Sequence, residues 1–172
     1  QFYQAAKSAA DALVRGQHPA GGWNYVIDTA GEESLKRWYA TYGKNAWRME
    51  EFHRYYGNAT FDDAGTAEAS QLLLRVYLEK RERQYRAPLD KAIQFVLDAQ
   101  YPNGGWPQRY PFVQGGGVHG HADYTPYITF NDDVAGENLE FLLYAWHGLA
   151  VNGRGDARLL DAIHRGMDIY VK

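Results

Sequence analysis

Gln17-His18-Pro19-Ala20-Gly21-Gly22-Trp23 decides how this 172-residue chain is read, because it returns as Gln100-Tyr101-Pro102-Asn103-Gly104-Gly105-Trp106. Each copy follows an apolar stripe at helical spacing: Ala6, Ala9, Ala10 and Leu13 before the first, Leu89, Ala92, Ile93 and Val96 before the second. A further motif, Phe61-Asp62-Asp63, returns with an insertion as Phe130-Asn131-Asp132-Asp133. The order helix, Gly-Gly-Trp, acidic pair, helix therefore occurs twice. Repeated helical hairpins cover their apolar faces by stacking on one another. The pattern predicts an all-α fold, a stacked or closed array of helical hairpins with one face built for a ligand.

Helices are expected near 3–16, 63–82, 87–100 and 156–171. Ala69, Leu72, Leu73 and Val76 form an i, i+3, i+4, i+7 stripe, and an offset of 70 turns it into Leu139, Leu142, Leu143 and Trp146. The same offset carries Leu89, Ala92 and Ile93 to Leu159, Ala162 and Ile163. On this register Asp62 and Asp132 are equivalent, just before or at a helix N-cap, where an acid satisfies free backbone N–H groups. Residues 22–60 and 101–131 read as long irregular loops, which in one domain are usually functional. The repeat arithmetic reads one domain over 1–172 as about two and a half repeats of something longer, with the next Gly-Gly-Trp falling beyond Lys172.

Composition narrows the function. Hydrophobic residues at 45% and charged residues at 23% are globular values. A formal net charge of −3 argues against nucleic acid, whose partners carry basic patches. The absence of cysteine excludes disulfides, thiolate metal sites and a Cys nucleophile. No apolar run approaches the roughly 20 residues of a membrane span, so no membrane partner is expected. The chain begins at Gln1 rather than Met, which fits removal of a leader and a secreted or periplasmic location. Nothing in the sequence speaks to oligomeric state. Fourteen Tyr and five Trp suit either a rich core or a surface that stacks on sugar rings.

Three sets of residues carry candidate chemistry. Asp62-Asp63 and Asp132-Asp133 come from equivalent ends of neighbouring hairpins and should share a rim; they read as helix caps or as carboxylates converging on a Ca²⁺ site. Arg37 to Arg48 interleaves cations with aromatics, Lys44 and Trp47 among them, which fits an acidic carbohydrate or a loop pinned by buried Trp. Arg109 follows a Gly-Gly-Trp turn and reads as a clamp for an acidic substrate or as a solvated surface residue. His119, His121 and Asp123 are loosely spaced in a Gly-rich stretch and read as a metal site or, on their spacing, as a surface His pair. No Gly-x-Ser-x-Gly, Walker or dinucleotide motif is present.

The segments Trp38-Tyr39-Ala40-Thr41-Tyr42-Gly43-Lys44-Asn45, Tyr55-Tyr56-Gly57-Asn58-Ala59-Thr60-Phe61-Asp62-Asp63, Tyr101 through Pro111, and Tyr127-Ile128-Thr129-Phe130-Asn131-Asp132-Asp133 together resemble the polysaccharide lyase family 10 pectate lyases. The resemblance spans nearly the whole chain. It implies an (α/α)3 toroid and a groove for polygalacturonate. It also implies Ca²⁺-assisted β-elimination leaving a 4,5-unsaturated sugar. Carried over by motif, it makes Asp132 the Ca²⁺ ligand, with Asp133 taking that role if the metal-ligand register is one residue off. Asp62 becomes the second essential acid. Asp63, Lys44, Asn45, Trp47, Arg109 and Tyr127 become substrate contacts. The family's base is an arginine from the later part of the toroid, and no arginine here is assigned to it. Three other readings stand beside it: a uronate-binding module without activity, a terpene-cyclase-like toroid that shares Gln-x-x-x-Gly-x-Trp, and a structural helical repeat.

Overall fold

The computed structural model describes residues 1–45, 52–113 and 122–171. Helices α1 (Phe2–Gly16), α2 (Glu32–Thr41), α3 (Gly65–Lys80), α4 (Arg86–Ala99), α5 (Val134–Gly148) and α6 (Ala157–Asp168) make the fold all-α. A short antiparallel pair, β1 (Ala59–Thr60) with β2 (Arg109–Tyr110), is set in register Ala59 to Tyr110 and Thr60 to Arg109. Helices α3 and α5 lie side by side; α1 packs on α3, α4 spans α3 and α5, and α6 packs on α5. One hydrophobic core runs through them, including Ala10, Leu73, Leu89, Val96, Phe141, Leu142 and Leu159.

The Gly-Gly-Trp repeats are struts of this core. Trp23 and Trp106 are fully buried, and each donates its indole N–H to a carbonyl ten residues back: Leu13 at 2.8 Å and Val96 at 2.9 Å. The Gln17 amide donates to the Gly21 carbonyl and reaches Pro88 of α4. The Gln100 amide repeats this with Gly104 and Ala162 of α6. Each loop thus ties one outer helix to the next. The first glycine of each pair allows the contact: Gly21 and Gly104 have φ of 121° and 100°, and a Cβ there would lie 2.3 Å from the Lys91 carbonyl oxygen and 1.9 Å from that of Arg165. The stacking role suggested by the aromatic content does not extend to these two Trp, because burial removes their ring faces from any ligand.

Two expectations need correction. The span 22–60 is not wholly irregular, because α2 occupies its middle. Leu35, Trp38 and Tyr39 give it an apolar edge, and Lys36 bridges Glu32 at 3.1 Å and Glu33 at 2.9 Å, pairs that support a short helix. The offset of 70 also fails on α5, where Leu143 is exposed and Phe141 takes its place inside. On α6 the stripe Leu159, Ala162, Ile163 is buried as expected. Its docking point on the Gly-Gly-Trp loop, however, lies about one helical turn further along than Lys91 on α4.

Candidate functional site

The two acid motifs form the same backbone device. Asp63 and Ala64 have φ of 49° and 55°; Asp132 and Asp133 both have 52°. Consecutive left-handed residues other than glycine cost on the order of 1–3 kcal/mol each and gather at functional sites. The match sets the register: Asp63 is equivalent to Asp132, Ala64 to Asp133, and Asp62 to Asn131. Asp62 and Asp132 are therefore not counterparts. Nor does either cap a helix, since no side-chain cap hydrogen bond forms at the start of α3 or α5.

Backbone bonds from the Gly-Gly-Trp loops hold both turns. Thr60 N–H donates to the Trp23 carbonyl at 2.8 Å, and Thr129 N–H to the Trp106 carbonyl at 3.0 Å. The first turn receives more. Phe61 N–H donates to the Gln108 carbonyl, and the Thr66 hydroxyl donates to the Thr60 carbonyl at 2.6 Å.

Asp62 is 7% exposed. Its Oδ2 accepts from the Tyr25 hydroxyl and from the Gln108 amide at 2.9 Å. Its Oδ1 is buried and accepts no hydrogen bond from the described residues. Burial pushes the Asp62 carboxyl up from its ordinary value, and the charges of Asp63 and Asp132 add to the shift. Asp132 accepts from the Asn131 amide at 2.7 Å. The two turns touch, which brings Asp132 and the Asp62-Asp63 pair together across the α3–α5 boundary. Asp133 lies over Gly136; burial raises the Glu137 carboxyl and the Tyr170 hydroxyl, and the Asp133 charge adds to both shifts. An orphaned, buried carboxylate oxygen beside two further carboxylates suits a hard divalent cation, whose shell needs more oxygens than these supply. Among the described residues no group of three or more His, Cys, Asp or Glu is arranged to hold a metal ion by itself, so any ion here rests on fewer carboxylates.

Arg109 is 2% exposed, so it is neither a solvated surface residue nor in direct reach of a substrate. Its Nη1 donates to Asn58 Oδ1 at 3.1 Å and its Nη2 to Asn24 Oδ1 at 3.4 Å. The guanidinium lies 4.4 Å from the Tyr56 ring centroid and 5.3 Å from that of Tyr25. Burial lowers its pKa from the ordinary arginine value. Lys44 and Asn45 are exposed just past α2, with the Asn45 amide on the Thr41 carbonyl. Tyr127 is 64% exposed. It lines an open cleft of about 540 Å³ with Tyr101, Pro102 and Ile128. Asp123 is used within a turn, accepting from Thr125 N–H and hydroxyl. Trp47, Arg48, the Gly115–Gly117 run, His119 and His121 lie outside the described residues.

Sequence reasoning missed Tyr25, Gln108, Asn24 and Asn58. One signal was available: Tyr25 and Gln108 each stand two residues after the tryptophan of their repeat.

Fold and site together define an α-helical hairpin protein with a shared acidic site between repeats. The family model of pectic acid lyase matches residues 35–172, and the chain belongs to that family. No curated protein matches it. Among solved structures it is similar to the family 10 polysaccharide lyase from Cellvibrio cellulosa, with a TM-score of 0.63 and 23% identity over 97% of this chain and 47% of that one. A point mutant of that lyase in complex with trigalaturonic acid gives 0.64 and 23% over 97% and 48%. The chain spans about half the length of these structures and shares their fold. Among the described residues no helix is long and apolar enough to cross a membrane.

Proposed function

We propose that this chain carries the acidic half-site of a Ca²⁺-assisted pectate lyase. The reading takes it as about half of an (α/α)3-type toroid, acting outside the cytoplasm on polygalacturonate by β-elimination to 4,5-unsaturated products. The observation that carries it is the orphaned Asp62 Oδ1 set beside Asp63 and Asp132 in a member of the pectic acid lyase family.

The chemistry follows from the residues. Abstraction of the C5 proton of a galacturonate leaves charge on the adjacent carboxylate. Ca²⁺ held there would neutralise that charge as an enolate-like species develops. Asp62 and Asp132 would hold the ion, and substrate and water would supply its remaining oxygens. Asp63, exposed beside them, would face the sugar chain. Lys44, Asn45 and Tyr127 sit on exposed surface where a polyanion is reached, and Lys44 would pair with a uronate. Arg109 would support the site from below. No residue of this chain is assigned as the base.

The test is absorbance of the unsaturated product from polygalacturonate, with Ca²⁺ and with chelator, in the natural full-length protein. A Ca²⁺-dependent rise that disappears in both Asp132→Ala and Asp62→Ala is expected. A rate unchanged by chelator or by both substitutions would overturn the reading.

A further inference from the structure

Tyr25 and Gln108 occupy the same place in their repeats, two residues after Trp23 and Trp106. Their side chains meet on one atom, Asp62 Oδ2, the phenol from its own repeat and the amide from the next. A carboxylate held by two donors on one oxygen cannot rotate without breaking both bonds. Its other oxygen, Oδ1, then keeps a fixed direction while accepting no hydrogen bond from the described residues. A buried acceptor left open in this way is costly, so the clamp maintains an arrangement that Asp62 alone would not keep. The ring of Tyr25 is fixed in turn: it lies 5.3 Å from Phe52 and 5.3 Å from the Arg109 guanidinium.

We infer that Tyr25 and Gln108 are positioning residues, which together lock Asp62 so that Oδ1 alone is offered to the divalent cation. The inference rests on the proposed cation site and adds two residues to it. It also means that each half of the clamp comes from a different repeat, so the site exists only when the two hairpins are docked. Outer partners of a ligating carboxylate are typically worth about 10–100-fold in affinity.

The experiment is a Tb³⁺ titration followed by luminescence, with Ca²⁺ competition, on the natural full-length protein and on Tyr25→Phe and Gln108→Leu. Phenylalanine keeps the ring against Phe52 and Arg109, and the melting temperature checks the fold. The expected result is about 10–100-fold weaker binding in Tyr25→Phe, with kcat on polygalacturonate falling and KM little changed. Gln108→Leu should weaken binding in the same direction. Wild-type affinity in Tyr25→Phe would overturn the inference. Failure of the wild type itself to bind Tb³⁺ or Ca²⁺ would sink the cation reading. The Asp62 rotamer in a crystal structure of Tyr25→Phe then decides the clamp separately: a turned carboxylate upholds it, an unmoved one overturns it.

Discussion

The acid turn before α3 and the acid turn before α5 share a backbone and the bond that ties it to the preceding tryptophan carbonyl, and differ in what covers them. Phe61 at the head of the first is 1% exposed, whereas Phe130 at the head of the second is 53% exposed. Asp62 is buried, while Asn131, Asp132 and Asp133 are exposed. The cause lies outside the turns. The first is covered by the loop of the following repeat, through β1–β2 pairing and Gln108. A carboxylate's environment in this architecture is therefore set by the neighbouring repeat, and its own turn sets only its direction.

Truncating the paired phenylalanines should split the two turns most widely. Phe61→Ala removes a fully buried ring and should cost about 3–5 kcal/mol. Phe130→Ala, being half exposed, should cost less than about 1 kcal/mol. Urea denaturation measures both, and equal losses would break the comparison.

The glycines should behave alike where the phenylalanines do not. Gly21→Ala and Gly104→Ala each force a side chain at positive φ against a backbone carbonyl. Each should lose more than about 1 kcal/mol in the same denaturation assay, since both loops tie one outer helix to the next.

Charge at Asp62 gives a pH signature. Its carboxyl pKa is raised in the folded state, so the folded protein binds the extra proton between the ordinary Asp range and the raised value. Stability in chelator should then fall as pH rises through that window. Asp62→Asn should flatten the slope and be the more stable protein at neutral pH. Added Ca²⁺ should reverse the order, with wild type gaining about 2.7 kcal/mol at 100 times its Kd and Asp62→Asn gaining less. Thermal melts across pH with and without Ca²⁺ test this.

The smallest effect separates His18 from its counterpart Tyr101. Burial lowers the His18 pKa, and its neutral ring bridges Ala20 N–H and the Gly57 carbonyl. A folded value below the unfolded one means that stability rises with pH through the range just below about 6.5. His18→Tyr should remove that component of the slope. Melting temperatures compared between mildly acidic and neutral pH would expose it, and an unchanged slope would count against the bridge.

Much of the fold was legible. The Gly-Gly-Trp repeat and the stripes of α4 and α6 follow from helical periodicity, which survives a slip of one turn. That tolerance also hid the true docking register of α6. Helix α2 was overlooked because its Trp and Lys residues read as a ligand-binding segment, although Leu35, Trp38 and Tyr39 carry helical spacing. The acids were found, but their equivalence was misplaced. A one-residue shift at the turn is invisible in Phe-Asp-Asp against Phe-Asn-Asp-Asp, and the left-handed pair Asp63-Ala64 resolves it. Tyr25 is not legible as a partner of Asp62, because only the folded loop brings its hydroxyl onto that carboxylate; Arg109 reads from sequence as a substrate clamp, and its burial is hidden because β1–β2 pairing between repeats encloses it.

The most direct test of the cation-binding acid pair is calorimetric Ca²⁺ binding to the natural full-length protein and to Asp132→Ala and Asp133→Ala. Loss of binding in Asp132→Ala with near wild-type affinity in Asp133→Ala is the predicted result. The reverse pattern, or binding unaffected by either substitution, would contradict it.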